Sequence, residues 1–347
     1  MTDAMTVVTG FSETLTLIWA GLIAFAVFVY VVLDGFDLGL GMLFAITPEK
    51  QDRDVMMNSV APVWDGNETW LVLGGGGLFA AFPLAYSLVL SALYVPIIVM
   101  LLALIFRGVA FEFRWRHEGP RNVWDVSFIL GSVLAAFSQG VTLGALLQGI
   151  SVDKAARIHD GGWLDWLTPF SLTTGVAVVA GYCLLGATWL VMKTQGPLQE
   201  RMRALAWPFG IATVAFIAVV SIWTPFLQDG YYLRWFGGWR SAPFFTVTVA
   251  VAAITVLLFR SLTVHRHEYL PFVLALALFA LCFAGLGLSM YPYVVPVEVT
   301  IWEAAAPARS QIFMLVGAAV LIPLILGYTG YAYWVFRGKV DPESGYH

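Results

Sequence analysis

The sequence predicts an all-α integral membrane protein with about nine transmembrane helices. Hydrophobic residues make up 60% of the 347 residues and charged residues only 12%, which is about half the charged fraction of a typical soluble domain. In addition, nine segments reach or approach the roughly 20 apolar residues that a helix needs to cross a bilayer. The composition therefore excludes a soluble enzyme, a disordered chain and a nucleic-acid-binding protein.

The predicted helices follow one another with short connections, so we expect a single transmembrane domain over residues 1–347. No Lys or Arg precedes Lys50, and the first apolar run therefore reads as a retained helix rather than a signal peptide. The second and third helices nearly merge, and we expect a tight turn between Pro83 and Pro96. The predicted helices lie near residues 14–45, 67–88, 89–112, 124–147, 168–192, 205–226, 243–261, 269–290 and 310–336.

The distribution of basic residues predicts the orientation of the chain. Of the 18 Lys and Arg residues, 13 lie in connections that follow odd-numbered predicted helices. Cytoplasmic connections are the ones that carry such an excess. We therefore expect the N-terminus outside and the C-terminus inside.

Two acids near the end of the first predicted helix are the first candidates for function. Asp34 and Asp37 are three residues apart and share one helix face. Ionisable residues within a membrane span are functional candidates by default. Such a pair suits a proton relay or a cation site. The alternative is that both acids are solvated at the cytoplasmic end or paired to a nearby Arg.

A second group of polar residues leads into the second predicted helix. Asp65 followed by Glu68 is typical of a capping box at a helix start. The functional alternative places Asp65 at the mouth of a proton path from the cytoplasm, with Glu68 one turn deeper. Trp64 and Asn67 lie in the same segment.

Two further sets of residues favour structural roles. Arg107 ends an apolar run and is expected to extend its side chain to the membrane interface. Glu112 is four residues before Arg116, a spacing that allows an ion pair on one helix face. Trp302 and Glu303, just before the last predicted helix, are expected to form an interface contact or to fix a loop.

The histidines argue against a haem or metal site in this chain. None of them lies inside a predicted span, so ligation of haem by His within the bilayer is not expected. No Cys pair or metal-binding motif occurs either, and we predict no metal site. The histidines are His117, His159, His265, His267 and His347.

Seven short blocks resemble subunit II of the cytochrome bd quinol oxidases and cover most of the chain in order. The most specific are Asp34-Gly-Phe-Asp37 and Trp64-Asp-Gly-Asn67. The blocks span residues 33–42, 58–67, 106–114, 147–149, 186–188, 290–292 and 300–303.

The resemblance implies a fold of two four-helix bundles plus one peripheral helix, in a multi-pass protein of the bacterial cytoplasmic membrane. The complex of such a subunit oxidises quinol and reduces dioxygen to water, with protons taken from the cytoplasm. Haems b558, b595 and d are held by subunit I, which subunit II stabilises. Some members also hold a structural quinone in a lipid-facing groove, and small single-helix subunits often accompany the pair.

The resemblance also implies roles for individual residues. Asp65 matches an acid of a proton path at the subunit boundary, and Asp34 matches a polar residue near that path. Trp64 and Asn67 are expected to position their neighbours. Two rival hypotheses stay open: a secondary transporter with its coupling ion at the Asp34 and Asp37 pair, and an assembly subunit with no proton role.

Overall fold

The computed structural model describes residues 2–116, 122–264 and 266–340. Within these ranges, eight helices are long and apolar enough to cross a membrane, and a bent pair raises the number to nine if it counts as one span. The prediction of an all-α membrane protein is thus confirmed. His117, Arg121, His265 and His347 lie outside the described residues, as does the side chain of Arg116.

Thirteen α-helices and two short antiparallel hairpins make up the described fold. The helices are α1 (Thr2–Leu43), α2 (Lys50–Asn58), α3 (Trp64–Ala81), α4 (Pro83–Ala92), α5 (Tyr94–Arg116), α6 (Asn122–Gln148), α7 (Pro169–Lys193), α8 (Gly196–Trp223), α9 (Asp229–Phe236), α10 (Ala242–Thr263), α11 (Leu270–Met290), α12 (Ile301–Ala304) and α13 (Ala308–Val335). Strands β1 (Val152–Asp153) and β2 (Ile158–His159) form the first hairpin, and β3 (Tyr293–Val295) and β4 (Val299–Thr300) form the second.

The prediction of one continuous helix over residues 67–88 is wrong. Helix α3 ends at Ala81, and α4 turns away from it by 119°. Phe82 separates them with φ −131° and ψ 62°. The cause is Pro83, which disfavours helical geometry at the residue before it. The third span accordingly begins at Tyr94 rather than at 89 and runs to Arg116. Helix α4 packs against β2, β3 and α12.

Helix α1 crosses α7 at a contact that only glycine allows. A Cβ atom on Gly39 would lie 1.8 Å from the backbone oxygen of Tyr182, and one on Gly186 would lie 2.6 Å from the carbonyl carbon of Gly39. Helix α6 approaches α7 in a similar way, since the Thr174 hydroxyl donates to the Gly140 carbonyl at 2.8 Å. Small residues at helix crossings are typical of membrane proteins, where close packing drives association.

The helices contact one another in two groups. Helices α1, α3, α5 and α6 are neighbours, and so are α7, α8, α10 and α11. Helix α7 joins the groups through its contacts with α6 and α1, and α11 also contacts α1. Basic residues mark one end of the molecule, which we call the basic end. Among them are Lys50, Arg53, Arg114, Arg201 and Lys339.

Helix α13 lies at the periphery and is attached mainly near its ends. At the end far from the basic end, Trp19 Nε1 donates to the Gln311 carbonyl at 3.1 Å. At the basic end, the Tyr333 hydroxyl donates to Asn67 Oδ1 at 2.8 Å. The chain after α13 is fixed to α7, since the Val340 N–H donates to the Lys193 carbonyl at 2.9 Å.

Candidate functional site

The fully buried side chain of Arg107 contacts three carboxylates near the basic end. The Nη1 atom of Arg107 lies 2.9 Å from Glu68 Oε1 and 3.0 Å from Asp34 Oδ1. Its Nη2 atom lies 3.7 Å from Asp37 Oδ2. We call these four residues the carboxylate cluster. The expected extension of Arg107 to the membrane interface is wrong, because α1 and α3 offer it anionic partners inside the bundle.

Packing around Arg107 explains why its side chain points inward. A Cβ atom on Gly131 of α6 would lie 2.7 Å from the Ala103 carbonyl oxygen and 3.0 Å from the Arg107 backbone nitrogen. Helix α6 therefore lies tightly against α5 behind the arginine. On another side, the guanidinium carbon lies 5.8 Å from the ring centre of Phe111. That ring stacks on Trp64 at 4.7 Å, so Trp64 contacts the cluster through Phe111.

The charges of the cluster do not balance. Three carboxylates face one guanidinium, so the fully ionised cluster would carry a net charge of −2. Placing uncompensated charge in a low-dielectric interior is costly. A proton taken up by one carboxylate lowers that charge, and the arrangement is therefore chemically suited to hold and release protons.

Asn67 connects the cluster to a cavity at the protein surface. Its Nδ2 atom donates to Asp37 Oδ2 at 2.7 Å, and its Oδ1 atom accepts from the Tyr333 hydroxyl at 2.8 Å. The cavity has a volume of about 420 Å³ and lies between α3, α5 and α13. Exposed Asp65 lines it together with Glu112. The segment 64–68 thus reaches from the surface to the buried carboxylates.

The expected capping box of Asp65 and Glu68 is not formed. Helix α3 is preceded by Val63, which makes no side-chain cap, and Asp65 lies within the first turn. The N–H groups of Val63 and Trp64 already donate to the Val60 carbonyl at 2.9 and 3.0 Å. Glu68 instead pairs with Arg107.

The remaining predicted residues lie away from the cluster. Glu112 is exposed at the cavity, and its pairing with Arg116 stays a prediction. Glu303 fixes the loop before α13, because its carboxylate accepts a hydrogen bond from the Thr300 N–H at 2.8 Å. This bond and the one from the Thr300 hydroxyl lower the pKa of Glu303. Trp302 lies beside it in α12.

Sequence reasoning missed a second ionic network at the basic end. Arg114 lies 2.6 Å from both Asp54 Oδ1 and Asp125 Oδ1. Arg53 Nη1 lies 2.9 Å from Asp125 Oδ2, and its Nε donates to the Thr47 carbonyl at 2.6 Å. Two cations balance two anions here, which favours a structural role in joining α2, α5 and α6. The position of Asp125 in the first turn of α6 was the available signal.

The described residues contain no cluster of side chains that suits a metal ion. In residues 2–116, 122–264 and 266–340, no group of three or more His, Cys, Asp or Glu residues could hold a metal ion. The described histidines, His159 and His267, lie in β2 and between α10 and α11. Both cysteines are unpaired thiols inside apolar helices, at Cys183 and Cys282.

Comparison with known proteins bears on the function of this arrangement. Residues 15–336 match the family described as cytochrome bd terminal oxidase subunit II. The cytochrome bd-I ubiquinol oxidase subunit 2 of Escherichia coli (strain K12) is 32% identical over 367 residues, covering 96% of this chain and 97% of that protein. The cytochrome bd ubiquinol oxidase subunit 2 of Bacillus subtilis (strain 168) is 30% identical over 340 residues, covering 94% and 97%.

A solved structure shares the fold. The bd oxidase from Geobacillus thermodenitrificans matches with a TM-score of 0.73 at 20% identity, over 93% of this chain and 98% of that one. The family match covers nearly all of the described helices, and the two curated relatives are second subunits of quinol oxidases. The chain therefore belongs to the cytochrome bd terminal oxidase subunit II family, and it is a multi-pass membrane subunit of an oxidoreductase that contains haem and a partner subunit I.

Proposed function

We propose that this chain is a haem-free subunit that stabilises the haem-bearing subunit I and supplies protons for the reduction of dioxygen by quinol. The observation that carries the proposal is the convergence of three carboxylates on the buried Arg107, linked to a surface cavity by Asn67. Haem, bound in the partner, would supply the electron transfer. In this proposal the two helix groups are the two four-helix bundles, α13 is the peripheral helix and the basic end faces the cytoplasm.

The proposed path begins at the cavity and ends at a buried acid beside Arg107. Asp65 is exposed at the cavity and takes up protons from water. Glu68, whose side chain is 28% exposed, lies between water and the Arg107 guanidinium. Asp34, whose side chain is 1% exposed, holds the proton at the inner end of this path. Each group is an acid that can both accept and release a proton, so the series can serve as a relay.

Asp65→Asn tests the entrance of this path. We expect the variant oxidase to consume dioxygen roughly tenfold more slowly. This loss lies below the range for a fully positioned proton-transfer group because water at the exposed site partly replaces the acid. Haem content should stay normal, since the exposed side chain has no packing role. Asp229→Asn, an exposed acid that begins α9 at the other end, serves as the control. Wild-type turnover of the Asp65 variant would show that it has no proton role.

The rival hypotheses are addressed by the same geometry. A transported cation between Asp34 and Asp37 would compete with the Arg107 guanidinium, which already contacts both. A purely structural subunit predicts that the double variant Asp34→Asn/Asp65→Asn keeps full activity. The relay predicts that this variant is slower than Asp65→Asn alone.

We also propose that a structural quinone, if this oxidase holds one, lies against the aromatic wall of the same cavity. Trp64, Tyr328 and Tyr333 line it, and a volume of about 420 Å³ lies in the usual range for small-molecule sites. Solvent extraction of the purified oxidase should then yield quinone, and Trp64→Ala should lower the quinone-to-haem ratio. An unchanged ratio would place the quinone elsewhere.

A further inference from the structure

A second polar chain reaches the carboxylate cluster from inside the membrane-spanning part. The Tyr182 hydroxyl of α7 donates to Gln139 Oε1 of α6 at 2.7 Å. Gln139 Nε2 in turn donates to the Tyr30 hydroxyl oxygen of α1 at 2.8 Å. Both tyrosines are nearly inaccessible to solvent. Burial of polar groups within a membrane protein costs free energy, and such groups usually have a function. These three residues do not line the surface cavity.

The donors and acceptors of this chain run in one direction. A tyrosine hydroxyl has one proton to donate, and the one on Tyr182 is used by Gln139. The Tyr30 oxygen already receives a hydrogen from the amide of Gln139. The proton of Tyr30 itself is therefore available for another acceptor.

The acceptor within reach is Asp34. It follows Tyr30 by four residues on α1, one helical turn away, and both side chains are buried there. Arg107 holds the carboxylate by charge at 3.0 Å. Neither Asp34 oxygen accepts a hydrogen bond from the described residues, Tyr30 included, so both have capacity for the Tyr30 proton.

We propose that Tyr30, Gln139 and Tyr182 are positioning residues that aim one hydrogen bond at the Asp34 carboxylate and hold it in place during proton transfer. This inference rests on the proton-supply function proposed above. The chain does not conduct protons, because the Gln139 amide donates from nitrogen and accepts at oxygen and does not pass one proton between its neighbours. A proton on Asp34 thus arrives and leaves on the side of α3 and α5.

Several charged or titratable groups face Asp34 from the elements packed around it, and a pH profile reflects all of them. They are Tyr30 and Asp37 of α1, Glu68 of α3, Arg107 of α5 and Tyr182 of α7.

The test is the pH profile of oxygen consumption by the complete purified oxidase, with a short-chain quinol as electron donor. Tyr30→Phe keeps the ring and removes the hydroxyl. A carboxylate that loses a hydrogen-bond donor takes up a proton more readily, so we expect the midpoint of the profile to move by about one unit to higher pH. The maximal rate at the optimum should stay close to wild type.

Gln139→Glu separates positioning from simple structural support. The new carboxylate accepts from both tyrosines and keeps both contacts, but it draws the Tyr30 proton away from Asp34. The new charge by itself also moves the midpoint to higher pH by repulsion, so the shift is compared with that of Gln139→Glu in a Tyr30→Phe background. Positioning predicts a larger shift when Tyr30 is present, because only then is a proton drawn away from Asp34, whereas structural support predicts equal shifts. Gln139→Met breaks the chain and leaves Tyr30 free to donate, so it should keep its maximal rate. A slow rate at every pH in this variant would instead mean that the chain conducts protons.

Tyr231→Phe is the matched control, since it removes another buried hydroxyl that donates to a carbonyl of α6, at Leu147, outside the cluster. It should leave the pH midpoint unchanged. A wild-type midpoint for Tyr30→Phe and equal shifts for Gln139→Glu with and without Tyr30, in an oxidase that Asp65→Asn does slow, would overturn the positioning role alone. Normal turnover of Asp34→Asn and Asp65→Asn would overturn the proton-supply function itself. If Tyr30→Phe fails to assemble, Gln139→Met decides, because it adds no charge and removes the donor that holds the Tyr30 hydroxyl: a midpoint at higher pH supports positioning, and a wild-type midpoint overturns it.

Discussion

Arg107→Met is expected to prevent assembly of the oxidase. The substitution leaves three carboxylates in the bundle with no cation among them, two of them almost fully buried. Removal of one partner from a buried ion pair typically lowers the free energy of unfolding by about 3–5 kcal/mol, and Arg107 serves three partners. The measurement is the amount of haem-containing complex that can be purified from membranes expressing the variant, together with its thermal stability.

A compensating variant identifies charge as the cause. Arg107→Met/Asp34→Asn/Glu68→Gln leaves a single carboxylate, Asp37, and should recover much of the assembled complex while its oxygen consumption stays slow. Arg107→Lys should assemble less well than wild type, because an ammonium group cannot match the fork of donors that reaches three acids. Normal yield and stability of Arg107→Met would show that the cluster does not depend on its cation.

Gly39→Ala is expected to be the most damaging Gly→Ala change among the described glycines. The added Cβ would lie 1.8 Å from the Tyr182 backbone oxygen, so α1 and α7 must move apart. Forcing an extra carbon into a packed interior costs about 1–3 kcal/mol or more, and here the obstacle is backbone that cannot rotate aside. Because α1 carries Asp34 and Asp37, the displacement also disturbs their contacts with Arg107.

The readout is the melting temperature of the purified oxidase, followed by loss of haem absorbance. Gly21→Ala is the matched control, because it makes the same change in the same helix at a site where a Cβ meets nothing within 4 Å. This control should melt at or slightly above the wild-type temperature, since Ala is the better helix former. Equal melting temperatures for the two variants would contradict the assigned role of the α1–α7 crossing.

The spans could be predicted from the sequence because a bilayer demands long apolar runs, and most helices begin and end close to the expected residues. Hydropathy does not record direction, however. Residues 70–92 contain no charged residue, and only Pro83 signals that α4 turns away from α3. Helix α8 starts at Gly196. The prediction placed its start at 205 because the first turns of α8 are polar, lie at the basic end and have low hydropathy.

The candidate site was only half visible in the sequence. The acids stood out because charge within an apolar run is rare, but Arg107 sits at the end of such a run, where extension to the interface is the ordinary outcome. Its partners lie far away in sequence on α1 and α3, and the sequence contains no local sign of the pairing. Tyr30 and Gln139 were missed because neither is charged. Each contributes through a hydrogen bond to a residue on another helix, which the sequence alone does not reveal.

The position of α13 has a consequence for the biogenesis of the chain. A membrane protein is synthesised from its N-terminus, and every member of the carboxylate cluster has been made once Arg107 has left the ribosome. Tyr333, which donates to Asn67, is made only with the last helix. The acids and their counter-ion can therefore meet early, while the wall of the cavity closes last. A nascent chain that stalls before α13 would keep its ion pairs and lack the wall that α13 contributes to the cavity.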